Sequence, residues 1–207
     1  MIKEYFKKRR QIEKRMMQFC SMKKASPRKL FEELAFCILT PQSKAVLCHE
    51  AILELKKSGL LFEGDEKEIA AVLKGKARFH NNKARFLVAA REFFGRDGFK
   101  SLKELTFMEN NKKARELLVK NVKGIGLKEA THYLRNVGRG EGLAILDRHV
   151  LKNLALHKVI KKPPKSLTKS QYSKIEEKMV AFCKKMKVPI EHADLLFWAR
   201  ETGFFFK

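Results

Sequence analysis

Apolar residues recur at helical spacing along almost the whole of this chain, and nowhere do β-branched residues alternate with polar ones as a half-buried strand requires. The pattern predicts helices near 3–24, 27–39, 43–58, 66–74, 82–96, 111–121, 127–137, 148–157, 169–187 and 190–201, joined by short connections. The expected fold class is therefore all-α. Ser26 before Pro27 reads as an N-cap with proline in the first helical position, and Gly59, Gly95, Gly98 and Gly138 punctuate helix ends. The most linker-like stretch is 161–168, rich in lysine and proline. With 207 residues, 44% of them hydrophobic, the chain can bury a core in one large or two small domains.

One break between helices carries chemistry. Residues 122–126 read Val-Lys-Gly-Ile-Gly, and helical periodicity resumes at Leu127. Gly124 and Gly126 around one apolar residue suit a tight hairpin whose backbone dihedrals favour glycine. Without side chains there, phosphate oxygens can approach backbone N–H groups at the positive end of the second helix. Such a clamp, with Lys123 beside it, holds nucleic acid without reading its sequence. In the helix that follows, Lys128, His132 and Arg135 share a face, and Ala130, Tyr133, Leu134 and Val137 form an apolar stripe. The positive potential of the first turn and partial burial favour the free amine of Lys128, as an amine nucleophile needs. Asp147 follows at a spacing of 147 − 128 = 19 residues and also suits the N-cap of the next helix.

A helix, a Gly-x-Gly hairpin, a lysine and an aspartate nineteen residues later resemble the helix-hairpin-helix DNA glycosylases, and in particular the compact archaeal-type 8-oxoguanine DNA glycosylase/lyases. The resemblance extends upstream. Residues 38–45, with Gln42, are similar to the loop that inserts a polar side chain into the gap left by an extruded base; residues 78–84, with Phe79, are similar to the segment whose apolar side chain wedges beside the orphaned base. What it implies is a helical barrel over 31–138 that ends in the hairpin, a second subdomain from 1–30 plus 139–207, and an active site in the cleft between them. Lys128 is then the Schiff-base nucleophile and Asp147 stabilises the positive charge that develops on the sugar, with no organic cofactor or metal. Some relatives hold an iron–sulfur cluster through four close cysteines near the C-terminus; Cys183 is alone there, so no cluster is expected, and Cys20, Cys37 and Cys48 are read with it as structural thiols. His132, Trp198, Asp194 and the terminal Lys207 are candidates for lining the base pocket, although Trp198 equally suits a core anchor and Phe204, Phe205 and Phe206 suit a buried terminus.

Charge points the same way. The 46 lysines and arginines against 23 acidic residues leave a formal net charge of +23, which favours a polyanionic partner. Duplex DNA containing a damaged base is the expected one. A monomer is expected, without a membrane span, and an intracellular location follows from a start that lacks a secretory signal. Two alternatives stay open: a glycosylase for oxidised pyrimidines such as thymine glycol, and a noncatalytic helix-hairpin-helix module that grips DNA.

Overall fold

The computed structural model describes residues 1–206, and among them there is no strand. The chain divides into two compact units, residues 24–133 and residues 1–23 with 134–207.

In the unit formed by 24–133, α2 (Pro27–Leu39) is the central element, packed against α3 (Ala45–Lys57), α6 (His80–Gly95) and α7 (Lys100–Phe107). Leu30, Phe31 and every side chain from Leu34 to Leu39 are wholly buried. Each leucine, isoleucine and phenylalanine among them contributes about 1.5–3 kcal/mol, so the position of α2 is strongly specified. Ser26 starts it as the sequence predicts, accepting from the Lys29 N–H at 3.3 Å, with Pro27 in the first turn. Around this core run α4 (Leu60–Glu63), α5 (Glu66–Leu73) and α8 (Asn111–Asn121), and α5 lies along α6. Asp65 and Glu68 close a reciprocal capping box at the start of α5. Helices α4 and α7 are additions to the sequence expectation. At four residues α4 is too short to establish a period, and α7, as long as α5, starts at an N-cap, Phe99, that supplies no side-chain cap.

α9 (Leu127–Asn136) carries the chain out of this unit, the division falling between Tyr133 and Leu134. The other unit is centred on α12 (Ile190–Thr202), which packs against α1 (Ile2–Ser21), α10 (Arg148–Leu156) and α11 (Lys169–Met186). The side chains from Ala193 to Phe197 are all buried, as a helix enclosed by three others requires. Arg200 near the end of α12 ties α1 and α10 together, donating to Glu4 and to Asn153. Of the four cysteines, Cys37, Cys48 and Cys183 are buried thiols and Cys20 is exposed. The terminal phenylalanines are not a buried plug. Phe204 packs edge-on against Trp198 while staying 46% exposed, because Trp198 is itself only half-buried and offers little surface to cover them. No helix among the described residues is long and apolar enough to cross a membrane.

Candidate active site and nucleic-acid interface

The hairpin forms where the sequence places it, but its two glycines do different work. Gly124 has φ of +85° and lies against the ring of Phe86 from α6, so closely that a Cβ would fall 2.2 Å from Phe86 Cδ2. Gly126 lies outside the left-handed region, and a Cβ there would meet only Glu129 Oε2, at 3.4 Å. Its carbonyl accepts from the Ala130 N–H at 3.0 Å, which makes it the N-cap of α9. Between them Ile125 is turned inward and buried, while Lys123 is exposed.

The N–H of Gly126 is already engaged. It donates to Glu129 Oε2 at 3.1 Å, and the other oxygen of that carboxylate pairs with Lys128 Nζ at 3.0 Å. Glu129 thus occupies both the backbone donor that a phosphate would use and the amine expected to react, and Lys128 remains about a third exposed. One turn on, His132 is buried with its ring edge-on to Phe36.

Gln42 and Phe79 share an unusual backbone state. Both are non-glycine residues in the left-handed region, at φ +55° and +56°, and both are exposed. Phe79 is the N-cap of α6 and is 54% exposed, with the Arg78 guanidinium over its ring. For residues of this size the conformation costs about 1–2 kcal/mol each and persists only where neighbours enforce it. A buried lysine supplies part of that enforcement. Lys83, 4% exposed, donates to Leu39 O at 2.6 Å, to Pro41 O at 2.7 Å and to Ser43 Oγ at 2.8 Å. Burial, opposed by the nearby Cys48 and Glu129, pulls its pKa down to about 8. Burial likewise raises the Cys48 thiol to about 11, which keeps it protonated and donating to Leu39 O.

In the other unit Asp147 caps α10, accepting from the Val150 N–H at 2.8 Å, and remains partly exposed. The irregular segment that delivers it is braced by α11. Glu176 accepts from the Ala144 N–H at 2.8 Å, and the Tyr172 hydroxyl donates to Ala144 O and accepts from the Leu146 N–H. Asp194 is buried with its carboxylate 3.2 Å from Arg135, whose guanidinium also lies over Phe19. Trp198, one turn beyond Asp194, contacts the rings of Phe204 and Phe206. Lys207 lies outside the described residues. Among them no group of histidine, cysteine and carboxylate side chains is arranged to hold a metal ion.

Sequence reasoning missed Lys83, Ser43, Glu129, Tyr172 and Glu176. Gly126 and Glu129 do carry a signal, the three-residue spacing of an N-cap and a carboxylate that reaches back to it. Tyr172 and Glu176 are polar residues at i and i+4 on the buried face of α11.

An all-helical fold with a Gly-x-Gly hairpin, and a lysine in the first turn after it, defines a helix-hairpin-helix protein. Residues 12–188 match the family profile described as 8-oxoguanine DNA glycosylase. The 8-oxoguanine DNA glycosylase/AP lyase of Fusobacterium nucleatum subsp. nucleatum is 47% identical over 176 residues, which cover 84% of this chain and 81% of that one. Among solved structures, the Methanocaldococcus jannaschii 8-oxoguanine glycosylase/lyase in complex with 15mer DNA containing 8-oxoguanine superposes with a TM-score of 0.89 at 33% identity, covering 100% of this chain and 99% of that one. The 8-oxoguanine DNA glycosylase of Thermotoga maritima gives 0.87 at 32% identity, with coverage of 98% and 94%. The chain belongs to the 8-oxoguanine DNA glycosylase family.

Proposed function

We propose that this protein is a bifunctional DNA glycosylase/AP lyase that excises 8-oxoguanine from duplex DNA and then cleaves the strand, as a monomer acting on the chromosome inside the cell. The observation that carries the reading is Lys128 in the first turn of α9, two residues past Gly126 of the hairpin, in a chain of this family. The lesion must leave the stack before its glycosidic bond can be reached. Gln42 and Phe79, side chains of suitable size held outward, offset the lost stacking, and Gly124, Gly126 and Lys123 grip the backbone. The Lys128 nitrogen attacks C1′ through its lone pair and the glycosidic bond breaks, its electrons leaving with the base, which takes up a proton. The C1′–O4′ bond then opens as a proton passes from the new secondary amine to O4′, giving a Schiff base that acidifies C2′, and loss of that C2′ proton expels the 3′ phosphate. Asp147 stabilises the positive charge that develops on the sugar, a role compatible with capping α10. Base recognition is assigned to His132, Trp198, Asp194 and Lys207. A carboxylate acceptor distinguishes 8-oxoguanine from guanine by the extra N7–H donor of the oxidised base. None of these steps requires a metal or an organic cofactor.

The test is borohydride trapping of the wild type and Lys128→Gln on duplexes carrying 8-oxoguanine, thymine glycol or an abasic site. An adduct on 8-oxoguanine that disappears in the variant is expected. Trapping on thymine glycol alone would overturn the substrate, and no trapping even at an abasic site would overturn the lyase chemistry and leave a module that only grips DNA.

A further inference from the structure

The least expected charged group in the 24–133 unit is Lys83. A buried ammonium is costly unless its donors are met, and here three N–H donors face three acceptors at 2.6, 2.7 and 2.8 Å. Two of those acceptors, Leu39 O and Pro41 O, are carbonyls at the end of α2 and in the loop that follows, and Pro41 and the third acceptor, Ser43, stand on either side of the strained residue Gln42. The third, Ser43 Oγ, also accepts from the Arg78 N–H at 2.9 Å, in the residue before Phe79. The main-chain N–H of Lys83 in turn donates to Phe79 O at 3.0 Å. Lys83 and Ser43 therefore join the two exposed residues through one hydrogen-bond cluster that runs from a buried end at Leu39 O to an exposed one at the Arg78 N–H, although the loops that carry them are more than thirty residues apart in sequence. The cluster thus meets the backbone on both sides of Gln42 and beside Phe79.

We propose that Lys83 and Ser43 are positioning residues that hold Gln42 and Phe79 in register with each other, so that both side chains enter the duplex together when the damaged nucleotide is extruded. Neither residue touches the reacting atoms. Lys83 and Ser43 act on the opening of the duplex rather than on the chemistry at C1′. The proposal rests on the reading of Gln42 and Phe79 as the inserted side chains, and the test separates the two.

The measurement is the single-turnover rate of base excision from an 8-oxoguanine duplex, divided by the rate of borohydride trapping at an abasic site in a single strand, where no partner strand has to be parted. Lys83→Met and Ser43→Ala are expected to lower this ratio at least about tenfold, because misplacing a positioning group by an ångström commonly costs that much or more. Ser43→Thr, which keeps the hydroxyl, is expected to restore most of it, and adding Gln42→Ala to Lys83→Met should lower the ratio little further, because the two changes disable one device. If Lys83→Met does not fold, Ser43→Ala and Ser43→Thr decide the matter. A ratio lowered by Gln42→Ala and Phe79→Ala but unchanged by Ser43→Ala overturns the positioning role alone. A ratio unchanged by Gln42→Ala and Phe79→Ala overturns the insertion reading and the proposal with it.

Discussion

Substituting each hairpin glycine by alanine separates a folding requirement from a binding requirement, two residues apart. In Gly124→Ala the new methyl must share space with the Phe86 ring, whose Cδ2, Cε2 and Cγ lie 2.2, 2.7 and 3.0 Å from the ideal Cβ position, and it must do so at φ +85°. The left-handed backbone costs about 1–2 kcal/mol for alanine and overpacking about 1–3 kcal/mol, so the sum is roughly 2–5 kcal/mol. For a chain of this size that is a fall in melting temperature of about 4–20 °C. In Gly126→Ala the backbone is unstrained and the only neighbour is the end of a flexible glutamate at 3.4 Å, so the cost is that of alanine at an N-cap, about 1 kcal/mol or less. Its methyl nevertheless stands at the helix N-terminus where a phosphate has to approach. Loss of one or two charge-assisted hydrogen bonds there, each worth about 1.5–3 kcal/mol, weakens DNA binding by roughly 10-fold or more. Thermal unfolding and fluorescence anisotropy on an abasic-analogue duplex at one fixed salt concentration measure both effects. Phe86→Ala in the Gly124→Ala background should recover part of the overpacking cost. Equal losses of stability in the two alanine variants, or unchanged DNA binding by Gly126→Ala, would refute the division of roles.

Glu129 holds the Gly126 N–H and the Lys128 amine, so a phosphate arriving at the hairpin must displace a carboxylate of its own sign. Glu129→Gln should therefore tighten binding to an abasic-analogue duplex about fivefold, for a screened repulsion of order 1 kcal/mol, and unchanged or weaker binding in the same anisotropy assay would argue against the displacement. His157 and His192 both have pKa values held below the ordinary 6.5, in each case chiefly by burial, with Arg200 adding to the effect at His157 and Arg9 at His192. The unfolded chain takes up protons as pH falls through 6.5 while the folded imidazoles do not. Their contribution to stability is thus present above about pH 7 and lost as pH falls below 6.5. Chemical denaturation at pH 7.5 and pH 5.5 should show that loss, smaller in His157→Gln and in His192→Gln; an unaltered pH dependence in both would exclude them as its source.

What could be read from the sequence was whatever is written locally. Ser26-Pro27 announces the start of α2 because a cap and its helix are contiguous, and the hairpin is visible because glycine spacing and resumed periodicity lie within a few residues. α4 was missed because four residues carry no measurable period, and α7 because Phe99 at its N-cap gives no capping signal such as Asp65 and Glu68 give for α5, a helix of the same length. Lys83 could not be singled out among 46 lysines and arginines, since nothing in its neighbourhood distinguishes it. Its burial is decided by carbonyls 42 and 44 residues earlier in the chain. The brace under Asp147 was hidden for the same reason, because Tyr172 meets Ala144 across 28 residues. The residues expected to touch DNA were legible by pattern, while those that hold them in place are legible only in three dimensions.

The supporting residues converge on one helix. Phe79 stands before α6 as its N-cap in the left-handed region, Lys83 secures the Gln42 loop from the first turn, and Phe86 fills the space under Gly124 from the second. Seven residues of α-helix advance by about 10 Å, comparable to three base-pair steps of about 3.4 Å along one strand. A rigid rod of that length can set the distance between the hairpin proposed to grip a phosphate and the side chain proposed to enter the stack. Loops that packed independently on the core could each be well ordered and still drift relative to each other by the ångström that an opened duplex does not tolerate. On the proposed reading of Gln42, Phe79 and the hairpin, mounting all three features on the start of α6 would convert the regularity of the helix into a fixed spacing on the DNA.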